Sequence, residues 1–273
     1  MADKITIISI DIGLRNLGLS KESFSLSTLQ SISPPNEFYD KYGEAQPDMK
    51  RYISEIGCCG SLTYWERTDL GDKKTFHAGG SYFRLIEWLD TLRVTGVFDD
   101  VHVILIEQQM KTNNIAISIM YHIHSYFLIY FGTFKRVILY QSKNKTRVLG
   151  AALTKEVDGK LKAVTKYNRK KWSVTTITDL LHQRKDKSSL TILQKEKKKD
   201  DLCDTVAQCL SYIVSETLKT NKVKVVHQTL RKVKQERKRE ALLQISSETK
   251  LKEEKSTTNI PNTRKRKQKP SVE

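Results

Sequence analysis

The chain is short of the residues that build disulfide-bonded, zinc-binding and membrane-spanning proteins. Its 273 residues include only 4 cysteines and 6 histidines. Cys58 and Cys59 are adjacent, and Cys203 and Cys209 have five residues between them; neither is zinc-ligand spacing, and no histidines stand nearby to complete a site. Cys203 and Cys209 fall in a helical pattern and read as small core residues, which fits a reducing compartment. The longest apolar stretch, Ile115 to Phe131, is interrupted by Ser118, His122, His124 and Ser125, so no membrane partner is expected. A strand pattern begins almost at the first residue and leaves no room for a signal or transit peptide, so a soluble, intracellular protein without a mitochondrial presequence is expected. There is no internal repeat, and nothing calls for an organic cofactor.

Acidic residues are also in deficit. Against 48 Lys plus Arg there are 31 Asp plus Glu, a formal charge of +17. A charge of that size attracts polyanions and points to nucleic acid. Much of it sits in one place: residues 219–273 carry 17 Lys plus Arg and 6 Glu, so 17 − 6 = +11 of the total. With few large apolar residues after Leu243, this segment reads as a basic extension, helical from Val225 to Leu243 and then disordered. Its Arg264-Lys265-Arg266-Lys267 run is also compatible with nuclear import.

The remainder, residues 1–218, alternates strand and helix patterns. Strands are expected at Ile5–Ile10, Leu17–Phe24, Gly60–Leu70, Val101–Ile106 and Arg136–Tyr140. Helices are expected at Ser81–Val94 (apolar side Phe83, Leu85, Ile86, Leu89, Leu92), Asn114–Tyr130, Trp172–Leu181 and Asp200–Leu218. Residues 25–60, polar and containing Pro34, Pro35 and Pro47, read as an irregular insertion in a hairpin region. The order gives an α/β fold, a mixed sheet with helices on its faces.

Within that frame, acids stand where acids are costly. Asp11 ends the run Ile5-Thr6-Ile7-Ile8-Ser9-Ile10, and Glu107 ends Val103-Ile104-Leu105-Ile106. Each run reads as a strand buried on both faces, and a carboxylate at its end must be paired or bind a metal. A third group, Asp200, Asp201 and Asp204, opens a helix and lies opposite its apolar side, Leu202, Val206, Cys209, Leu210 and Ile213. An acidic first turn also gains from the helix dipole with no metal present. Together, however, the three groups suggest hard oxygen ligands for magnesium or manganese rather than zinc. Two such ions can activate a water and stabilise the leaving oxygen at a phosphate. Lys143, Lys145 and Arg147 after the last strand, and Arg169, Lys170 and Lys171 at a helix start, are the candidates for neutralising a nucleic-acid backbone.

The ordered set Asp11-x-Gly13-x-Arg15-Asn16, Glu107-x-Gln109 and Lys198-x-Asp200-Asp201-x-x-Asp204 resembles the Holliday junction resolvases of the RuvC superfamily, in particular those of poxviruses and other large DNA viruses and of fungal mitochondria. The segment Tyr167-Asn168-Arg169-Lys170-Lys171-Trp172-Ser173-Val174 is similar to the basic stretch before the last acidic motif of the viral branch. The resemblance spans residues 3 to 216 apart from 25–60. It implies an RNase H-like fold, two magnesium ions held by four acids, and a homodimer that cuts a four-way DNA junction by symmetric phosphodiester hydrolysis. Asp11, Glu107 and Asp204 carry over directly; the remaining acid is Asp201 by the bacterial pattern or Asp200 by the fungal one. Lys145 and Lys170 or Lys171 stand where the family places lysines near the scissile phosphate. A viral member would act in the host nucleus or at a cytoplasmic replication site. The alternatives are another RNase H-fold nuclease, acting on flaps, hybrids or structured RNA, and a non-catalytic DNA-binding protein.

Overall fold

Strand β1, Lys4–Asp11, is buried along almost its whole length, and its side chains alternate between two cores. Ile7 belongs to one core and Ile8 and Ile10 to the other, the period of 2 that a central strand imposes. The computed structural model describes residues 3–157 and 160–221, with a few further positions between 235 and 243. After β1 the chain forms β2, Leu17–Ser25, a short α1, Leu26–Ser31, and α2, Pro47–Cys58. β3, Gly60–Thr68, α3, Lys73–His77, and α4, Gly80–Val94, follow. Then come β4, Val103–Gln108, α5, Asn114–Phe131, and β5, Arg136–Gln141. The remaining elements are α6, Lys143–Val148, a hairpin of β6, Thr154–Val157, and β7, Lys160–Ala163, and the helices α7, Lys166–Gln183, α8, Lys187–Lys195, and α9, Lys199–Thr220.

The main sheet has the order β3-β2-β1-β4-β5, with β2 antiparallel to both neighbours and β1, β4 and β5 mutually parallel. This is the mixed, helix-flanked sheet expected of an RNase H-like fold. α4 and α5 cover one face through Leu85, Leu89, Leu92, Ile119, Ile123 and Phe127. α2, α7 and α9 cover the other through Tyr52, Ile56, Ile177, Leu181, Val206 and Leu210. Cys203 and Cys209 lie buried in that second layer, as small core residues.

Three local expectations differ. Residues 25–60 do lie between β2 and β3, but they are not irregular: Pro47 stands at the start of α2, where its missing N–H costs nothing, and Met49, Tyr52, Ile53 and Ile56 join the core. Phe83, expected on the inner side of α4, is 79% exposed. The polar stretch after α7 holds a further helix, α8, whose N-cap Asp186 accepts from the Ser189 N–H.

The chain divides into two units, the first ending at Leu230. Of the expected tail helix, the positions described between 235 and 243 are helical, and the remainder, with the expected disorder beyond it, lies outside the described residues. No helix among the described residues is long and apolar enough to cross a membrane.

Candidate active site

Strand alternation decides where the two strand-borne acids point. In β1, Asp11 follows Ile7 and Ser9 on the odd positions; in β4, Glu107 follows Val103 and Leu105. Ile7, Val103 and Leu105 all face the layer of α9. The parallel register pairs Ile7 with Val103 and Ile10 with Ile106, so Asp11 and Glu107 arrive side by side at the strand ends, under the first turns of α9. α9 is seated there by Trp65 of β3, whose Nε1 donates to the Leu202 carbonyl at 3.1 Å. Close approach needs a glycine: a Cβ at Gly18, the strand partner of Asp11, would stand 3.0 Å from the Asp201 carbonyl oxygen and from Thr205 Cγ2. The buried Gln208 of α9 donates to the Ile10 carbonyl at 3.3 Å and, marginally, to that of Leu105 at 3.5 Å, tying the helix to both acid-bearing strands.

At the centre stands the ammonium of Lys145, from α6. Its Nζ is 3.0 Å from Asp11 Oδ1, 3.0 Å from Glu107 Oε1 and 3.1 Å from Asp204 Oδ2, and its side chain is 7% exposed. Two neutral groups hold the outer oxygens in place. Gln109 Nε2 donates to Glu107 Oε2 at 2.6 Å, and Ser173 Oγ of α7 donates to Asp204 Oδ1 at 2.7 Å. Further along the first turn of α9, Lys170 pairs closely with Asp200 and lies 3.9 Å from Asp201. Asp201 Oδ2 is buried and has no hydrogen-bond partner among the described residues.

Burial first, and then the adjacent Glu107 carboxylate, push Asp11 well above the usual carboxylate range. Burial would raise Glu107 too, but the Lys145 charge and hydrogen bonds from Asp11, Lys145 and Gln109 outweigh it and hold Glu107 low. Of these two neighbouring carboxylates, Asp11 is therefore the one that takes up a proton first as pH falls. Burial works against the charge on Lys145, yet Asp11, Glu107 and Asp204 together keep it firmly protonated. Asp201 is pushed up to about 6, by burial and then by Asp200. Asp200 itself stays low because the hydrogen bond and charge of Lys170 outweigh its burial.

Among the described residues, no three Asp, Glu, His or Cys side chains close on a common point as metal ligands do. They close instead on Nζ of Lys145. The three carboxylates around it nevertheless suit a hard dication: they offer only oxygen, they come from three elements and they already surround a cation.

Beside the acids runs a groove of about 400 Å³ lined by Lys143, Lys166, Arg169, Lys170 and Trp172, with Glu107, Lys145 and Asp204 at its floor. The expected basic residues divide. Lys143, Arg169 and Lys170 line this groove, and Lys145 is a buried partner of the acids rather than a surface cation. Arg147 is not in the groove: two residues from Lys145 on a helix, it points about 200° away and lines a different cavity. Lys171 turns to solvent between two groove residues. Ser173 and Gln208 were not legible as site residues, since a serine and a glutamine inside helical patterns carry no signal until their partners are placed.

No family model matches the chain. It is 35% identical over 122 residues to uncharacterized protein 170L of Invertebrate iridescent virus 6, covering 41% of this chain and 50% of that protein. It is 31% identical over 129 residues to uncharacterized protein 97L of Invertebrate iridescent virus 3, covering 47% of this chain and 55% of that one. The chain thus spans about half the length of the curated relatives it matches. Among solved structures, the Fowlpox virus resolvase in complex with its substrate Holliday junction DNA is similar at a TM-score of 0.46 and 16% identity, over 78% of this chain and 99% of that one. RuvC of T. thermophilus in complex with a Holliday junction substrate is similar at 0.41 and 13%, over 79% and 98%. These likenesses are remote, and what the chain does has to be read from the side chains around Lys145.

Proposed function

We propose that the chain is a magnesium-dependent endonuclease that cuts four-way DNA junctions by symmetric hydrolysis of two phosphodiesters, acting as a homodimer. The observation that carries this reading is the convergence of Asp11, Glu107 and Asp204 on one buried cation at the floor of a basic groove. Asp11, Glu107 and Asp204 would hold the metal, with Asp201 as the fourth ligand, because its oxygen is unpartnered whereas Asp200 is taken by Lys170. Bound there, magnesium, or manganese in its place, supplies an activated water and stabilises the leaving oxygen.

The chain's own residues do the rest. Gln109 and Ser173 fix the rotamers of Glu107 and Asp204. Lys145 holds the carboxylates together while no metal neutralises them, and its flexible stem leaves it free to turn toward a phosphate oxygen in the groove. Lys143, Lys166 and Arg169 bind the backbone on either side of the scissile bond. The iridescent virus relatives support an origin in a large DNA virus, and hence action in the host nucleus or at a cytoplasmic replication site.

The test is a cleavage assay of the full chain with magnesium on a labelled immobile four-way junction, beside duplex, splayed, flap and RNA–DNA hybrid substrates of matched sequence. Paired nicks in opposed arms of the junction are expected. Preferred cutting of flap or hybrid would assign the site to another structure-specific nuclease, and binding without cutting would leave only a DNA-binding protein.

A further inference from the structure

A second cavity, of about 460 Å³, opens on the far side of α6, between the edge strand β5 and the last turns of α9. Three cationic side chains line it, Arg136, Arg147 and Lys219, against one carboxylate, Glu216. Glu216 is already engaged, at 2.7 Å by Lys219 and at 3.9 Å by Arg136, so the wall keeps an excess of positive charge. Two of its donors are buried and unused. Arg147 gives one N–H to Asn144 Oδ1 at 3.1 Å, but its Nε has no partner among the described residues. Tyr212 lines the same cavity, is 4% exposed, and has a hydroxyl with no partner among the described residues.

Buried donors left unpaired are rare, because desolvating them is costly unless something accepts their hydrogens. Water would accept the hydrogens but would not balance the charge. A tetrahedral oxyanion does both, and a guanidinium fork is the side chain best matched to it. We infer that this cavity binds a phosphate group, with Arg147 and Tyr212 as its inner donors and Arg136 and Lys219 at its rim. The phosphate comes either from a DNA backbone passing over the edge of the sheet or from a free phosphate compound. Because Arg147 and Lys145 leave opposite sides of the short helix α6, an anion seated there also braces the helix that delivers Lys145 to the carboxylates. The inference does not depend on the carboxylate site being a nuclease, since its readouts need neither metal nor cleavage.

The experiment compares the full chain with Tyr212→Phe, which removes one hydroxyl and no charge, and with Arg147→Gln. Thermal unfolding is followed against inorganic phosphate, with chloride making up constant ionic strength, and junction binding is titrated in EDTA. For the unaltered chain a saturable rise of about 2–4 °C is expected. The Tyr212→Phe protein should lose at least about half of that rise, as expected when a buried donor to the anion is removed. If the phosphate is a DNA one, both variants also bind the junction several-fold more weakly, and Arg147→Gln lowers the salt slope by about one. If it is a free compound, the thermal response falls and DNA affinity does not. The inference is overturned if Tyr212→Phe matches the unaltered chain in both measurements, which would mean that phosphate acts only through diffuse attraction to a basic protein.

Discussion

A buried ion pair fastens the second helical layer to the sheet, and breaking it offers a quantitative test of how the fold is held. Glu22 of β2 is fully buried, and its Oε2 accepts from Arg184 Nη2 at 2.8 Å; the Arg184 side chain, just past α7, is 4% exposed. Arg184 Nε also donates to the Gly57 carbonyl at 2.8 Å, so the pair joins β2, α7 and the end of α2. Removing one partner of such a pair strands a buried charge and costs about 3–5 kcal/mol. For a domain of this size that corresponds to a fall in Tm of roughly 6–20 °C. The pair is incompletely satisfied, since Glu22 Oε1 and Arg184 Nη1 have no partners among the described residues. The double variant Glu22→Leu/Arg184→Met should therefore recover most of the loss. Urea unfolding of the four proteins measures this. Single variants within about 1 kcal/mol of the parent, roughly the error of such extrapolations, would refute the assignment of this pair as a structural clamp.

Three further outcomes follow from the site and the surface. Asp11 and Asp201, the latter at about 6, are carboxylates raised by burial, so in acid they hold protons that a metal must displace; the magnesium concentration for half-maximal cleavage should rise as pH falls from 8 toward 5.5, and a constant value would contradict the ligand set. Tyr121, Leu128 and Ile129 of α5 leave an exposed apolar surface, so sedimentation should give a dimer and Ile129→Glu a monomer; a monomeric parent at micromolar concentration would count against the homodimer. Truncation after Asn221 keeps the buried Leu218 while removing all but one of the tail's 17 cations, and should flatten the salt dependence of DNA binding yet leave cleavage at low salt; abolished cleavage in the folded truncation would show that the tail shapes the active assembly.

The sheet was legible because β1, β4 and β5 are apolar runs of strand length and β3 alternates, and Asp11 and Glu107 were legible because each ends such a run. Alternation even settles that Asp11 and Glu107 share a face, once the parallel register of β1 and β4 is known. What the sequence did not convey was the third dimension of the basic residues. Lys145 reads like its neighbours Lys143 and Arg147, yet α6 is a helix of six residues that buries the first, exposes the second to the groove and turns the third to another cavity. α2 was hidden because Pro47 reads as a breaker until its place at a helix start is seen. The difference between Asp200 and Asp201 likewise needed three dimensions to see: Lys170 pairs closely with Asp200, whereas Asp201 Oδ2 has no partner among the described residues.

The most direct test of the central claim is to measure junction binding and junction cleavage in parallel for Asp11→Asn, Glu107→Gln and Asp204→Asn. Each substitution keeps the side chain's shape, leaves the basic groove intact and removes one negative oxygen from the ring around Lys145. Binding in EDTA within about threefold of the parent, a difference under 1 kcal/mol, with cleavage in magnesium lost, is the predicted result. Cleavage at the parent's rate in any one of the three would remove that carboxylate from the site, and in all three would show that these acids are not where the chemistry happens.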